Sequence, residues 1–194
     1  MDLLGTDEPI HLDFETTGLD AHDMDKHVVL VGLANSRGVV TCDTREWTVT
    51  HWHPFVRWLQ RCGFWAFNAG FDGAWVWRYA PEDCLPDLNL AGCSMVYFKL
   101  LANDGHPGAS HSLESLVSGV LGWDSHKDII PELLSKHGIT KGTSSTPDKS
   151  RMSELLDLES EHFQNYCGWD ADASWQAVRW FDQECERLKA PMTR

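Results

Sequence analysis

Residues 28–34 read Val-Val-Leu-Val-Gly-Leu-Ala, with no polar side chain among them. Such a run predicts a strand buried on both faces, and a strand of that kind sits inside a sheet with covering layers on both sides. Asn35-Ser36-Arg37-Gly38 follows as a turn, and residues 39–43 predict the antiparallel return strand.

The preceding segment is patterned differently. Residues 9–15, Pro-Ile-His-Leu-Asp-Phe-Glu, alternate strictly, with Ile10, Leu12 and Phe14 on one face and His11, Asp13 and Glu15 on the other. This strand ends at Thr16-Thr17-Gly18, before a loop carrying Asp20, Asp23 and Asp25. A helix is predicted over 52–61. A short strand follows over 64–67, and then a helix that carries Asp72, Trp75, Val76 and Tyr79 as far as Pro81. Further helices are predicted over 92–102 and from a Ser112 cap to Leu121, stopping at Gly122. Residues 140–153 are polar and rich in Gly, Ser, Thr and Pro, a loop by composition.

From Leu155 onward, positions 155, 158, 162, 166, 170, 173, 177, 181, 185 and 188 recur at steps of three or four. They predict one long helix with Tyr166 and Asp170 on its inward stripe. Strands interleaved with helices make an α/β or α+β chain with a mixed sheet. At 194 residues it is expected to be a single domain over 1–194, with a flexible basic loop at about 138–153.

Composition narrows the function. No stretch approaches the roughly 18–20 apolar residues of a transmembrane helix, and the N-terminus lacks a signal peptide's basic start and apolar run. The chain is therefore expected in the cytoplasm where it is made, without a membrane partner. Six cysteines with no tight pairing read as reduced thiols, and His51, His53 and Cys62 lack the Cys-x-x-Cys pair that would complete a zinc cluster. A net charge of −13 opposes a protein that coats duplex DNA. It is compatible with an enzyme that grips a few nucleotides through bound cations. Ten tryptophans suggest core packing plus a partner surface, with base stacking by one or two as the alternative.

The carboxylates carry the chemistry. Asp13 and Glu15 leave the same strand face roughly 7 Å apart at the Cα atoms. Like charges that close raise each other's pKa unless a cation lies between them. Alone, Asp-x-Glu would also suit a solvated strand face, but here it ends a core strand where ligands commonly bind. Asp72 falls in the first turn of a helix, after Gly70, where the macrodipole by itself would favour it. Asp170 lies one turn after Tyr166 on the same helix face. Four acids on three elements that converge at sheet edges are what two divalent cations require.

At these residues the sequence resembles the DnaQ-like 3′–5′ exonucleases, the DEDD superfamily of ribonuclease H-like fold. Asp13-Phe14-Glu15-Thr16-Thr17-Gly18-Leu19-Asp20 resembles their first motif, Asn68-Ala69-Gly70-Phe71-Asp72 the second, and Tyr166-Cys167-Gly168-Trp169-Asp170-Ala171-Asp172 the third. The Tyr-x-x-x-Asp form is that of the tyrosine branch, which includes family A polymerase proofreading domains, RNase D and Werner-type nucleases. In the histidine branch a His would stand where Asn165 and Tyr166 do, and His162 is too far back. Ser110-His111-Ser112-Leu113-Glu114-Ser115-Leu116 resembles a helix start of the same family. The resemblance covers about residues 9–185 and is nearest to the family A exonuclease domain, and the chain is expected to act without the polymerase domain of that family.

The resemblance implies an α/β ribonuclease H-like fold with a mixed five-stranded central sheet flanked by helices. It implies two Mg²⁺ or Mn²⁺ held by Asp13, Glu15, Asp72 and Asp170, with Tyr166 orienting the attacking water. Thr16, Leu19 and Asn68 would hold the terminal nucleotide, with Leu19 as an apolar wedge. The implied substrate is a single-stranded DNA 3′ end, RNA being the alternative. An alternative of a different class is a proofreading subunit or adaptor that binds a separate polymerase, which surplus tryptophans could meet. Lys136, Lys141, Lys149 and Arg151, against Asp148, could guide a strand toward the metals, or lie in a solvated loop.

Overall fold

The computed structural model describes residues 8–84, 88–102, 112–123 and 129–189. Residues 1–7, Ser110, His111 and the side chain of Leu188 lie outside that description. β1 (Ile10–Thr16), β2 (Val28–Asn35) and β3 (Gly38–Asp43) form an antiparallel meander, and β4 (Phe64–Ala66) and β5 (Leu90–Cys93) extend it in parallel beyond β1. The order is β3-β2-β1-β4-β5, the mixed five-stranded sheet that was expected.

Both faces are covered, as residues 28–34 required. All eight residues of β2 are buried. On one face Ile10, Leu12, Phe14, Val31 and Leu33 pack under α1 (Val49–Cys62) and α2 (Ala69–Tyr79). On the other, Val29 and Leu30 pack against α5 (Ile129–Lys136), α6 (Leu155–Leu158) and α7 (Ser160–Lys189). The face of β1 that carries His11, Asp13 and Glu15 is therefore roofed by a helix. His11, stacked on Trp65, hydrogen-bonds Ser174 of α7 at 3.3 Å, and Ser174 meets Ser94 at 2.7 Å.

Several elements depart from the expectations. α1 starts at Val49, because the Thr48 amide donates to His51 Nδ1 at 3.2 Å and closes the first turn. Residues 92–102 are not one helix: β5 ends at Cys93 and α3 (Ser94–Ala102) begins there. Gly92 lies against the Trp65 ring, which leaves no room for a side chain, so a neighbouring strand's indole sets this strand. Ser112 caps α4 (Leu113–Leu116) by accepting from the Ser115 amide. A π-helical turn then runs to Leu121, and Gly122 stops it in the left-handed region. α5 was not anticipated; it buries Ile130 and Leu134.

The long C-terminal helix is divided in two. Glu159 breaks it (φ −143°, ψ 48°), drawing Lys136, His137 at 2.7 Å and His162 at 3.3 Å onto its carboxylate. Lys136 first and His137 second hold that carboxylate at about 2. The break resets the helical phase. Leu158 and His162 are exposed, whereas Phe163, Cys167, Ala171, Ser174 and Phe181 form the buried ridge. Tyr166 and Asp170 flank that ridge, half-buried.

Residues 138–153 are closed by an antiparallel bridge between Thr140 and Pro147 and by Asp148 N–H donating to the Ile139 carbonyl at 3.0 Å. A 3₁₀ turn, Lys149–Glu154, then leads into α6. Of the ten tryptophans, Trp52, Trp58 and Trp75 are buried, Trp77 is exposed, and the other six are half-buried. No helix among the described residues is long and apolar enough to cross a membrane.

Candidate active site

Alternation along β1 sends Asp13 and Glu15 toward α7, with Asp13 opposite Gly32 and Glu15 opposite Leu30 on β2. The register slips between Glu15 and Thr16, a bulge at the strand end of the kind that re-aims side chains beside active sites. Thr16 turns into the open cleft there, its hydroxyl donating to the Gly18 carbonyl at 2.5 Å.

Asp72 reaches the cluster from α2. β4 ends at Ala66, opposite Leu12, and the next amide along β1 is claimed by a side chain: Phe14 N–H donates to Asp72 Oδ1 at 3.1 Å. Asp170 and Tyr166 come from α7, one turn apart, with the phenol beside the Asp170 carboxylate. Three elements thus deliver four acids.

Their electrostatics are one-sided. Burial raises Asp13 to about 7, opposed by a hydrogen bond from the Cys167 thiol. Burial lifts Glu15 well above the carboxylate range, and Asp13, Asp170 and Asp72 add to it. Asp72 is raised by burial and by Asp13, against the Phe14 amide. Asp170 is raised by burial and by Asp13, against the Tyr166 hydroxyl. Among the described residues, no lysine or arginine stands with the groups that set these charges. Tyr166 is pushed far above a phenol's ordinary value, chiefly by burial and then by the carboxylates, so it is neutral at any physiological pH.

A buried cluster of mutually repelling carboxylates without a basic partner fits a cation. The donor oxygens of Asp13 and Glu15 and the Cys167 sulfur all lie within 4.8 Å of one another. Burial and the acids keep the Cys167 thiol protonated. The donor set that could hold a divalent cation is thus carboxylate oxygen with the Cys167 sulfur beside it. Among the described residues, His51, His53 and Cys62 form no such group.

Asp13, Glu15, Thr16, Leu19, Tyr166 and Asp170 line one cleft of about 670 Å³. Leu19 is 89% exposed at its mouth. Asp72 is buried behind the cleft surface, and Asn68 is exposed at the start of α2, outside the lining. The sequence motifs did not single out Phe71, Met152, Lys26 or Cys167 as site groups, nor Glu114 of α4, which adds to the charge felt by Asp170. Only Lys149 and Arg151 carried a signal, as local basic charge.

An α/β sheet with a roofed carboxylate cluster at the end of its central strand defines a ribonuclease H-like fold with a candidate cation site. Comparison agrees on the fold. A solved structure described as "apo form of the nuclease" aligns over 93% of this chain and 86% of its own, with a TM-score of 0.50 and 13% identity. No family model and no curated protein matches the sequence.

Proposed function

We propose that this chain is a metal-dependent 3′–5′ exonuclease that removes terminal nucleotides from single-stranded or frayed DNA. The observation that carries the reading is the meeting of Asp13, Glu15, Asp72 and Asp170, with no basic partner among the described residues, beside an open cleft. The 3′–5′ polarity rests on the resemblance of residues 13–20, 68–72 and 166–172 to the tyrosine branch of the DEDD superfamily. Likeness in fold to a structure described as a nuclease is compatible with it.

Asp13, Glu15, Asp72 and Asp170 would hold two Mg²⁺ or Mn²⁺. Such ions supply Lewis-acid stabilisation of phosphate charge and a water acidic enough to attack near neutral pH. The chain's own residues set the geometry. Asp72 is tied to the β1 backbone by the Phe14 amide, so one of the four carboxylates is oriented before any ligand arrives. Tyr166, held neutral, can donate a hydrogen bond that orients a water but cannot take its proton. Thr16 and Leu19 offer a polar and an apolar contact to a terminal nucleotide. Asn68 joins them where a strand extends toward the start of α2.

Timed digestion of end-labelled DNA and matched RNA strands with Mg²⁺ or Mn²⁺ tests the reading. Stepwise loss from the 3′ end is expected, and Asp13→Ala with Asp170→Ala should slow it by at least about 10²–10³-fold. An unchanged rate in that double variant sinks the proposal. Digestion of RNA alone would move it to an exoribonuclease.

A further inference from the structure

In a chain of net charge −13, the cleft beside the carboxylates is lined by three basic side chains, Lys26, Lys149 and Arg151. Arg151 is committed, since its guanidinium pairs with Glu154 at 2.5 and 2.8 Å. Lys26 and Lys149 differ. Neither forms an ion pair or side-chain hydrogen bond among the described residues.

The two lysines come from unrelated segments. Lys26 stands in the connection between β1 and β2, and Lys149 opens the 3₁₀ turn before α6. The Lys26 stem lies flat on Gly18: a Cβ there would stand 2.8 Å from both Cγ and Cδ of the lysine. The turn that ends the first motif thus makes room for a cation in the cleft. The same cleft is lined by the apolar surfaces of Leu19, Phe71 and Met152. A cleft of about 670 Å³ is the size that encloses one small ligand or a strand end, not a duplex.

We propose that Lys26 and Lys149 are paired phosphate anchors, each holding one phosphodiester of a single nucleic-acid strand whose end lies at the carboxylates, with Leu19, Phe71 and Met152 against its bases. This deepens the nuclease reading and rests on it for the placement of the strand end.

The test is fluorescence anisotropy of a short 5′-labelled oligothymidylate across a range of sodium chloride concentrations, in EDTA so that nothing is cleaved. Wild type, Lys26→Ala, Lys149→Ala and the double variant are compared, each checked for unchanged thermal melting. The double variant should lower the slope of log K against log salt by about 1.4, twice the roughly 0.7 per phosphate of a single strand. Gly18→Ala keeps the lysine but displaces its stem, and should weaken binding as Lys26→Ala does. An uncharged methylphosphonate strand should bind all variants alike. An unchanged slope in the double variant overturns the proposal, as does an equal loss on the uncharged strand or no strand binding by the wild type. If the slope falls but the wild type cleaves neither DNA nor RNA, the anchors stand and the nuclease reading fails. If it cleaves and the slope is unchanged, the anchors alone fail.

Discussion

Gly32 of β2 and Cys167 of α7 touch through their backbones: a Cβ on Gly32 would stand 2.5 Å from the Cys167 carbonyl oxygen and 2.9 Å from its sulfur. Gly32 is also the residue opposite Asp13 in the sheet. The absence of one side chain therefore sets how near α7 comes to β1, and with it how near Asp170 and Tyr166 come to Asp13 and Glu15.

Gly32→Ala should accordingly act twice. Overpacking at a helix–sheet contact costs about 1–3 kcal/mol, seen as a lower midpoint in thermal denaturation. Displacement of α7 should also weaken Mn²⁺ binding measured calorimetrically. A variant that melts lower yet binds Mn²⁺ as the wild type does would separate the packing from the site.

Asp72 has a structural and an electrostatic role that substitution can divide. Asp72→Asn keeps an acceptor for the Phe14 amide and removes a buried charge raised by its neighbours. In metal-free buffer at about pH 8 it should melt higher than wild type. Asp72→Ala leaves the buried amide unpaired, a loss of about 1–3 kcal/mol relative to the asparagine variant. Equal melting of the two variants would show that the hydrogen bond contributes nothing.

The four carboxylates make the cation's effect depend on pH. Their folded-state pKa values are raised, Asp13 to about 7, so the folded chain holds protons that the unfolded chain releases. The stability they contribute is full below about pH 4 and is lost as pH rises through about 7. Bound Mn²⁺ should restore it, so the melting shift on adding Mn²⁺ should be small near pH 5 and large near pH 8. His11 works in the other direction. Burial lowers it to about 3 from 6.5, so its contribution is present above 6.5 and is lost as pH falls toward 3. A Mn²⁺ shift equal at both pH values would contradict a carboxylate site.

Tyr166→Phe removes one hydroxyl from Asp170 without removing a base. A hydrogen bond to a charged group is worth about 1.5–3 kcal/mol, so turnover should fall about 10- to 100-fold. The shape of the pH–rate profile should be preserved, because the phenol does not titrate in that range. Loss of a limb of the profile would make Tyr166 a proton carrier instead.

Much of this molecule is written in short-range pattern. Alternation through Ile10, Leu12 and Phe14 places Asp13 and Glu15 together, since a strand repeats every two residues. One helical turn joins Tyr166 to Asp170 for the same kind of reason. Residues 28–34 announce a sheet covered on both faces, and β2 is buried throughout.

Other features have no local signature. Asp72 looks like any helix-start aspartate until Phe14 donates its amide to it across 58 residues. β5 exists because Gly92 fits against Trp65, and the phase of α7 is reset where Glu159 meets Lys136 and His137 at the end of α5. The placement of Lys26 and Lys149 in one cleft is likewise invisible along the chain. The sequence by itself determined the strands, the paired acids of β1 and the Tyr166–Asp170 turn, because backbone periodicity alone positions them. Tertiary structure decided which elements meet, because that depends on steric fit at Gly32 and on desolvation of charges brought together from distant segments.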